Sequence, residues 1–417
     1  MFFSLVAHVA FAADIPLAPF FGNPSESIPT IKLSDGTYVG AEIMVGPKER
    51  SLTVSIHDDI VTLNGSNPKK CMFIVNNTKL TLSDIRLIVP IEAPFIKGAG
   101  LTVTFENIFH AYDRRDFPLV SATCGSVYVE NNSFQTTSMY GSTMFLLGET
   151  RRERSQDEVA LCGCSFDSIT VGGEYPFISN PNINSIILRD CSFRNIQWKG
   201  RMSSTPPLTQ LVRTEVSNCS FYRCDGPLSG GIVPAVQAEY STITASTFDT
   251  CTNAVSISGD IRAWTKSFIV TNSVFTNGST AKRYPNGGAL WFTRFMNLTM
   301  TNVTFANHNI SGDGGAISMA GGFERISCHQ CRFIVNVASR GGALSIGKTP
   351  FPISPRIEMS SCSFANDANA GRDIFFVSMG KNVTQKNFSN CTSRSMAGRI
   401  YDMETGRGYD WTNSPAA

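Results

Sequence analysis

The stretch that decides the fold is Cys331–Ile346, "CRFIVNVASRGGALSI". Phe333 stands two residues after Cys331, Asn336 three residues after Phe333, and Gly341 and Gly342 just ahead of Leu344 and Ile346. The preceding "VTFANHNISGDGGAISM" and the following "CSFANDANAGRDIFFV" repeat nearly the same order. Tandem near-copies point first to a building unit, and only then to a reaction site.

Short strand-like segments ending in Phe recur outward from this stretch. The marks are Phe109, Phe134, Phe166, Phe193, Phe221, Phe248, Phe275, Phe305, Phe333, Phe364 and Phe388, with Leu87 one step earlier. Their spacing averages about 28 residues, in the range of solenoid repeats. Segments such as "SIILRDCSF" and "RIEMSSCSF" alternate apolar with small or polar residues, the pattern of half-buried strands. Two residues before Phe stand Cys164, Cys191, Cys219, Cys331 and Cys362, or Ser246 and Ser273. Period two puts that small residue and Phe on one face. Two residues after Phe stand Asn195, Asn277, Asn307, Asn366 and Asn390, which suit a left-handed corner. The order strand, corner, glycine pair and short strand describes a coil that must stack on copies of itself.

The expected fold is therefore all-β: a parallel β-helix, or solenoid, of about twelve coils with a short N-terminal cap. Residues 1–13 read as a secretory signal peptide, because Ala10, Phe11 and Ala12 give an Ala-x-Ala pattern after an apolar run. Residues 14–40 read as leader and cap, 41–402 as one β-helix and 403–417 as a tail. The segments Leu147–Glu158 and Thr349–Pro355 read as loops. No stretch reaches the roughly 18 apolar residues of a membrane helix. Eleven Asn-x-Ser/Thr sequons accompany the signal-like start, beginning at Asn64, Asn76, Asn131, Asn218, Asn277, Asn297, Asn302, Asn309, Asn382, Asn387 and Asn390. Together they predict a secreted, N-glycosylated chain. Net charge is +2 with 16% charged residues, which argues against a nucleic-acid partner.

The Phe-x-x-Asn and Gly-Gly-Ala-Ile/Leu pairing, clearest between Phe275 and Phe376, resembles the repeats of polymorphic-membrane-protein surface adhesins and of repeat-rich protist surface proteins. Only Phe333 to Asn336 gives the first motif in full; elsewhere Asn comes one residue early, or Cys224, Cys251 or Cys391 takes its place. The resemblance implies a right-handed parallel β-helix of the pectin-lyase-like class. It implies adhesion or surface display, with host or environmental glycans or proteins as partners.

Chemistry is the rival reading, since a polysaccharide lyase or glycoside hydrolase needs clustered carboxylates or a base beside a cation. The candidates are His57, Asp58 and Asp59; Asp113, Arg114, Arg115 and Asp116; Asp225; and Asp313. The first group lies near the N-terminal end and the second follows Phe109 in a turn, where mixed charges are usually only solvated and Asp commonly caps backbone groups. Cys328 and Cys331 form a Cys-x-x-Cys, but strand alternation places them on opposite faces, while Cys162 and Cys164 share one. Cys191 and Cys219 fall in neighbouring coils, and no disulfide is assigned. The five histidines, His8, His57, His110, His308 and His329, are scattered singly. Trp264, Trp291 and Trp411 read as packing residues before sugar platforms. No catalytic, cofactor-binding or metal-ligating residue is assigned on this basis.

Overall fold

The structure is a computed structural model. It describes residues 15–16, 30–33, 36–40, 42–45, 50–54, 61–65, 69–88, 92–111, 114–115, 118–135, 138–139, 144–147, 158–171, 178–179, 184–198, 213–226, 238–252, 254–257, 265–280, 286–292, 295–321, 323–347, 356–370, 372–376, 385–393, 400–402 and 407–409. The chain divides into two compact units, Met1–Leu211 and Val212–Ala417. Among the described residues every ordered element is a strand, and no helix is long and apolar enough to cross a membrane.

Each unit is a parallel β-solenoid. In the first unit, one sheet stacks Ile15–Pro16, Gly36–Gly40, Val61–Gly65, Arg86–Ile88, Phe109–Ala111, Ser133–Gln135, Ser165–Asp167 and Ser192–Arg194 in parallel register. In the second unit the equivalent sheet stacks Ser220–Tyr222, Thr247–Asp249, Val274–Thr276, Thr304–Ala306, Arg332–Arg340, Ser363–Ala370 and Thr392–Ser393. A second sheet runs just before it in each coil, and a third follows the glycine pairs of the second unit. The all-β solenoid is as expected, and coils are more numerous than twelve. The additional ones precede Leu87, where Ile15, Tyr38 and Leu63 hold the Phe place in register and no Phe marks the repeat. Ile15 and Tyr38 lie within 14–40, so parallel pairing begins inside the stretch read as leader and cap. At the other end, Arg407–Tyr409 pairs antiparallel with Ile400–Asp402, the last parallel strand of the third sheet.

The Phe marks form the core of each stack. Rings of Phe134, Phe166 and Phe193 lie 4.7 and 4.8 Å apart in the first unit. Those of Phe221, Phe248 and Phe275 are 4.6 Å apart in the second. That is one strand spacing, so each ring stacks on the next almost face to face. Burying each is worth about 1.5–3 kcal/mol. Two marks are displaced. His110, not Phe109, pairs with Phe134 and Leu87. Phe388 belongs to the second sheet opposite Met359, and Ser393 faces Phe364.

Two ladders of left-handed corners flank the Phe strand. One lies three residues before Phe, at Asn131, Gly163 and Asp190 in the first unit and Asn218, Asn272, Asn302, Gln330 and Ser361 in the second. The other lies two residues after Phe, at Ser168 and Asn195, then at Arg223, Thr250, Asn277, Asn307 and Val335. Asn195, Asn277 and Asn307 thus turn the corner as their sequence predicts. Asn336 does not: Val335 takes the positive φ of 53°. Asn336 is fully buried and opposes the next coil across a bulge. Asn366 is also buried, and Asn390 turns the other ladder's corner. At the glycine pair, a Cβ on Gly341 would lie 2.2 Å from the Leu344 carbonyl and on Gly315 2.0 Å from the Gly342 carbonyl. No side chain fits there.

The first ladder also breaks strand alternation, which corrects both cysteine readings. Gln330 turns the chain between Cys328 and Cys331, so both thiols point into the core. Gly163 does the same between Cys162 and Cys164, leaving Cys162 half-buried and Cys164 in the core. None of the twelve cysteines is joined in a disulfide. The slot two before Phe mostly holds a small donor: Cys191 Sγ donates to the Leu161 carbonyl at 3.3 Å, and Ser246 Oγ to that of Thr244 at 2.8 Å, while Val303 fills it with no donor.

Candidate functional site

Several flagged residues lie outside the described residues: His8, the signal segment 1–13, His57, Asp58, Asp59, Asp113, Asp116, Trp264, Trp411, Asn382 and the segment Thr349–Pro355. Arg114 and Arg115 form a two-residue strand paired with Ser138–Met139. Asp225 makes an isolated bridge to Thr252. Asp313 is held by Arg340, whose Nε donates to Oδ1 at 2.6 Å and whose second nitrogen donates to Oδ2. Arg340 also lies over the Phe375 ring at 5.1 Å. Asp313 therefore fastens one coil to the next, and among the described candidates Asp225 and Asp313 lie in different coils.

His308 is buried in the slot three after Phe. Its Nδ1 accepts from the Gly278 amide at 3.0 Å, so the ring proton sits on Nε2, for which no hydrogen-bond acceptor is placed among the described residues. Burial pushes the imidazole from 6.5 down to about 4, against weaker opposition from the Phe275 and Gly278 backbone. The amide of His308 donates to Asn336 Oδ1 at 3.1 Å. Asn336 Nδ2 donates to Asn366 Oδ1 at 2.8 Å, and Asn366 Nδ2 to Asp373 Oδ1 at 3.1 Å. This polar ladder is sealed inside the second unit and satisfies backbone groups at the bulge.

The outward face of the second sheet is where functional groups gather. Alternation exposes every other residue of its strands. In the first unit, Glu106 and Glu130 are register partners, and Ser83 Oγ donates to Glu106 Oε2 at 3.3 Å. Glu158, on the next strand, accepts from Ser185 Oγ at 2.6 Å.

In the second unit the same face is mostly hydroxyl and amide. One outward column runs Ser217, Thr244, Thr271, Thr301, His329, Ser360 and Ser389 in consecutive register. Thr244 and Thr271 hydroxyls are 3.1 Å apart, and His329 Nδ1 lies 2.8 Å from Ser360 Oγ. A second column runs Asn297, Arg325 and Arg356. Arg325 donates to Glu358 Oε2 at 2.5 Å, with half of the Arg325 side chain exposed. Arg356 is exposed beside it. Sequence reading missed this group because its members are about thirty residues apart. The available signal was that Arg213, Arg325 and Arg356 all stand eight residues before a Phe mark. Among the described residues no group of three or more His, Cys, Asp or Glu side chains is placed to hold a metal ion.

No family model matches the chain, and no curated protein matches it. Among solved structures it is similar to tailspike protein 3 of bacteriophage CBA120 at 10% identity and TM-score 0.29. That match covers 97% of this chain, which spans 64% of the tailspike chain. It is similar to a PL6 alginate lyase in complex with a trisaccharide at 11% identity and TM-score 0.38, over 93% of this chain and 81% of that one. It is also similar to the catalytic domain of a GH87 α-1,3-glucanase in complex with nigerose at 12% identity and TM-score 0.36, over 94% and 68%. Likeness at this level carries no statement about activity or ligand.

Proposed function

We propose that this chain is a secreted or surface-displayed β-helix repeat protein that acts in adhesion, contacting glycans through the outward second-sheet face of its second unit. The observation that carries the reading is the register-locked array of outward hydroxyl, amide and guanidinium groups from Ser217 to Ser389. Sugars present repeated hydroxyls, and a flat array repeating at the strand spacing of about 4.8 Å offers one contact set per coil. The resemblance to polymorphic-membrane-protein repeats supports adhesion over catalysis. The signal-like start and the sequons support a secretory route; Asn131, Asn218, Asn277 and Asn302 are exposed at outward corners.

A second reading, hydrolase or lyase, draws on the register pair Glu106 and Glu130 in the first unit, since glycosidases act through paired carboxylates. A glycan and polyuronate array, followed by reducing-sugar and unsaturated-product assays, separates the two. Binding without turnover supports adhesion. Turnover abolished by Glu106→Gln or Glu130→Gln moves the protein to the second reading, and the absence of both binding and turnover refutes each.

A further inference from the structure

We propose that the glycan recognised by this face is anionic, a polyuronate or a sulfated polysaccharide, and that Arg356 is its principal anchor, with Arg325, His329 and Ser360 on the same face. The inference rests on the glycan-binding reading above and adds the ligand's charge class. Arg325 and Arg356 are direct register partners on adjacent strands, so their stems leave the sheet about 4.8 Å apart. Of the two, Arg325 is engaged by Glu358. Arg356 is exposed and has no ion pair or side-chain hydrogen bond among the described residues. A planar guanidinium in this state is a bidentate receptor for a carboxylate or sulfate.

The surroundings fit a sugar better than another polyanion. Ser327 and Ser360 share the face with the two arginines, and Thr299 and Thr301 lie on the preceding strand and Asn387 on the following one. His329 and Ser360 are already hydrogen-bonded to each other, which fixes a donor and acceptor on the same face four residues along the strand from Arg356, about 13 Å away. Phe295 on the preceding strand is buried and Phe388 on the following one half-buried, so these four strands present no exposed Phe, Tyr or Trp for stacking unpaired bases, and the chain's net charge is only +2. A polysaccharide lying across the strands meets hydroxyl contacts in successive coils and finds its charge partner at Arg356.

The test is equilibrium binding of the full chain to polygalacturonate, to a neutral glucan of similar length and to duplex DNA, at low and physiological salt, for the wild type, Arg356→Ser, Arg356→Glu and Ser360→Ala. Arg356 is exposed, so its variants keep the wild-type strand circular dichroism and unfolding midpoint. The expected result is wild-type binding to polygalacturonate that weakens about tenfold in Arg356→Ser, more in Arg356→Glu and detectably in Ser360→Ala. Binding of neutral glucan by the wild type as tight as that of polygalacturonate overturns the anionic class and leaves the glycan reading standing. Equal polygalacturonate binding by wild type and Arg356→Glu overturns the site. Duplex DNA bound as tightly, with the same Arg356 dependence, overturns the sugar assignment. Binding to neither glycan overturns the glycan reading itself.

Discussion

Replacing His308 by Asn removes a proton-binding group from the core while keeping an acceptor for the Gly278 amide. Asn336 already plays that part toward the His308 amide. The folded imidazole titrates at about 4 against 6.5 for the ordinary side chain. At about 1.4 kcal/mol per pH unit, the gap is worth about 3 kcal/mol. Above pH 6.5 the ring is neutral in both states and adds no slope. Between 6.5 and about 4 the unfolded chain binds a proton that the folded chain refuses, so stability falls as the pH drops. Below about 4 both states bind it and the loss stays at its full value. The assay is urea unfolding followed by tryptophan fluorescence, on wild type and His308→Asn, at several pH values from neutrality down to 4. Carboxylates, including the ladder's terminal Asp373, titrate in both proteins and cancel in the difference. The wild type should lose about 3 kcal/mol more than the variant across that range. Parallel stability curves would refute the claim that His308 is held neutral by burial.

Further outcomes follow from the stacks. Mild alkylation of the native protein should label the half-buried Cys124 first. Cys164, Cys251, Cys331 and Cys362 should stay unmodified, since neighbouring thiols and burial raise all four, Cys362 up to about 12; peptide mass mapping reads the order. Cys191→Ser should be tolerated, because Ser246 and Ser273 hold the same slot in other coils, whereas Cys191→Ala should cost about 1 kcal/mol more through loss of the side-chain hydrogen bonds to the Arg189 and Leu161 carbonyls. Equal midpoints for the two variants would refute the donor role. Gly315→Ala drives a Cβ into the Gly342 carbonyl and should destabilise by at least about 2 kcal/mol, read as a lowered unfolding midpoint.

Period and core were legible in the sequence because a stacked solenoid demands the same bulky residue at the same place. Phe134 to Phe364 therefore mark the coils without error. Legibility failed where the chain leaves a strand. Corners such as Gln330 and Gly163 invert the in–out alternation, so two cysteines three apart share the interior and two cysteines two apart do not. At Val335 the corner keeps its place two residues after Phe, so Asn336, one residue further on, turns inward. The early coils were hidden because Ile15, Tyr38 and Leu63 fill the Phe place with residues common in any strand. The Arg325–Arg356 group was hidden for a different reason. Outward positions carry no packing constraint, so only register, known once the coils are stacked, brings residues from different repeats side by side.

The antiparallel strand Arg407–Tyr409 bears on polymerisation. A parallel stack ends in an open row of backbone donors and acceptors that templates the next parallel strand, from the same chain or from another. At the end of the third sheet that row, on Ile400–Asp402, is occupied by a strand running the wrong way for another coil to follow. An incoming copy meets a direction mismatch where it would otherwise extend the solenoid. The reversal acts as a stop for end-to-end growth along that sheet.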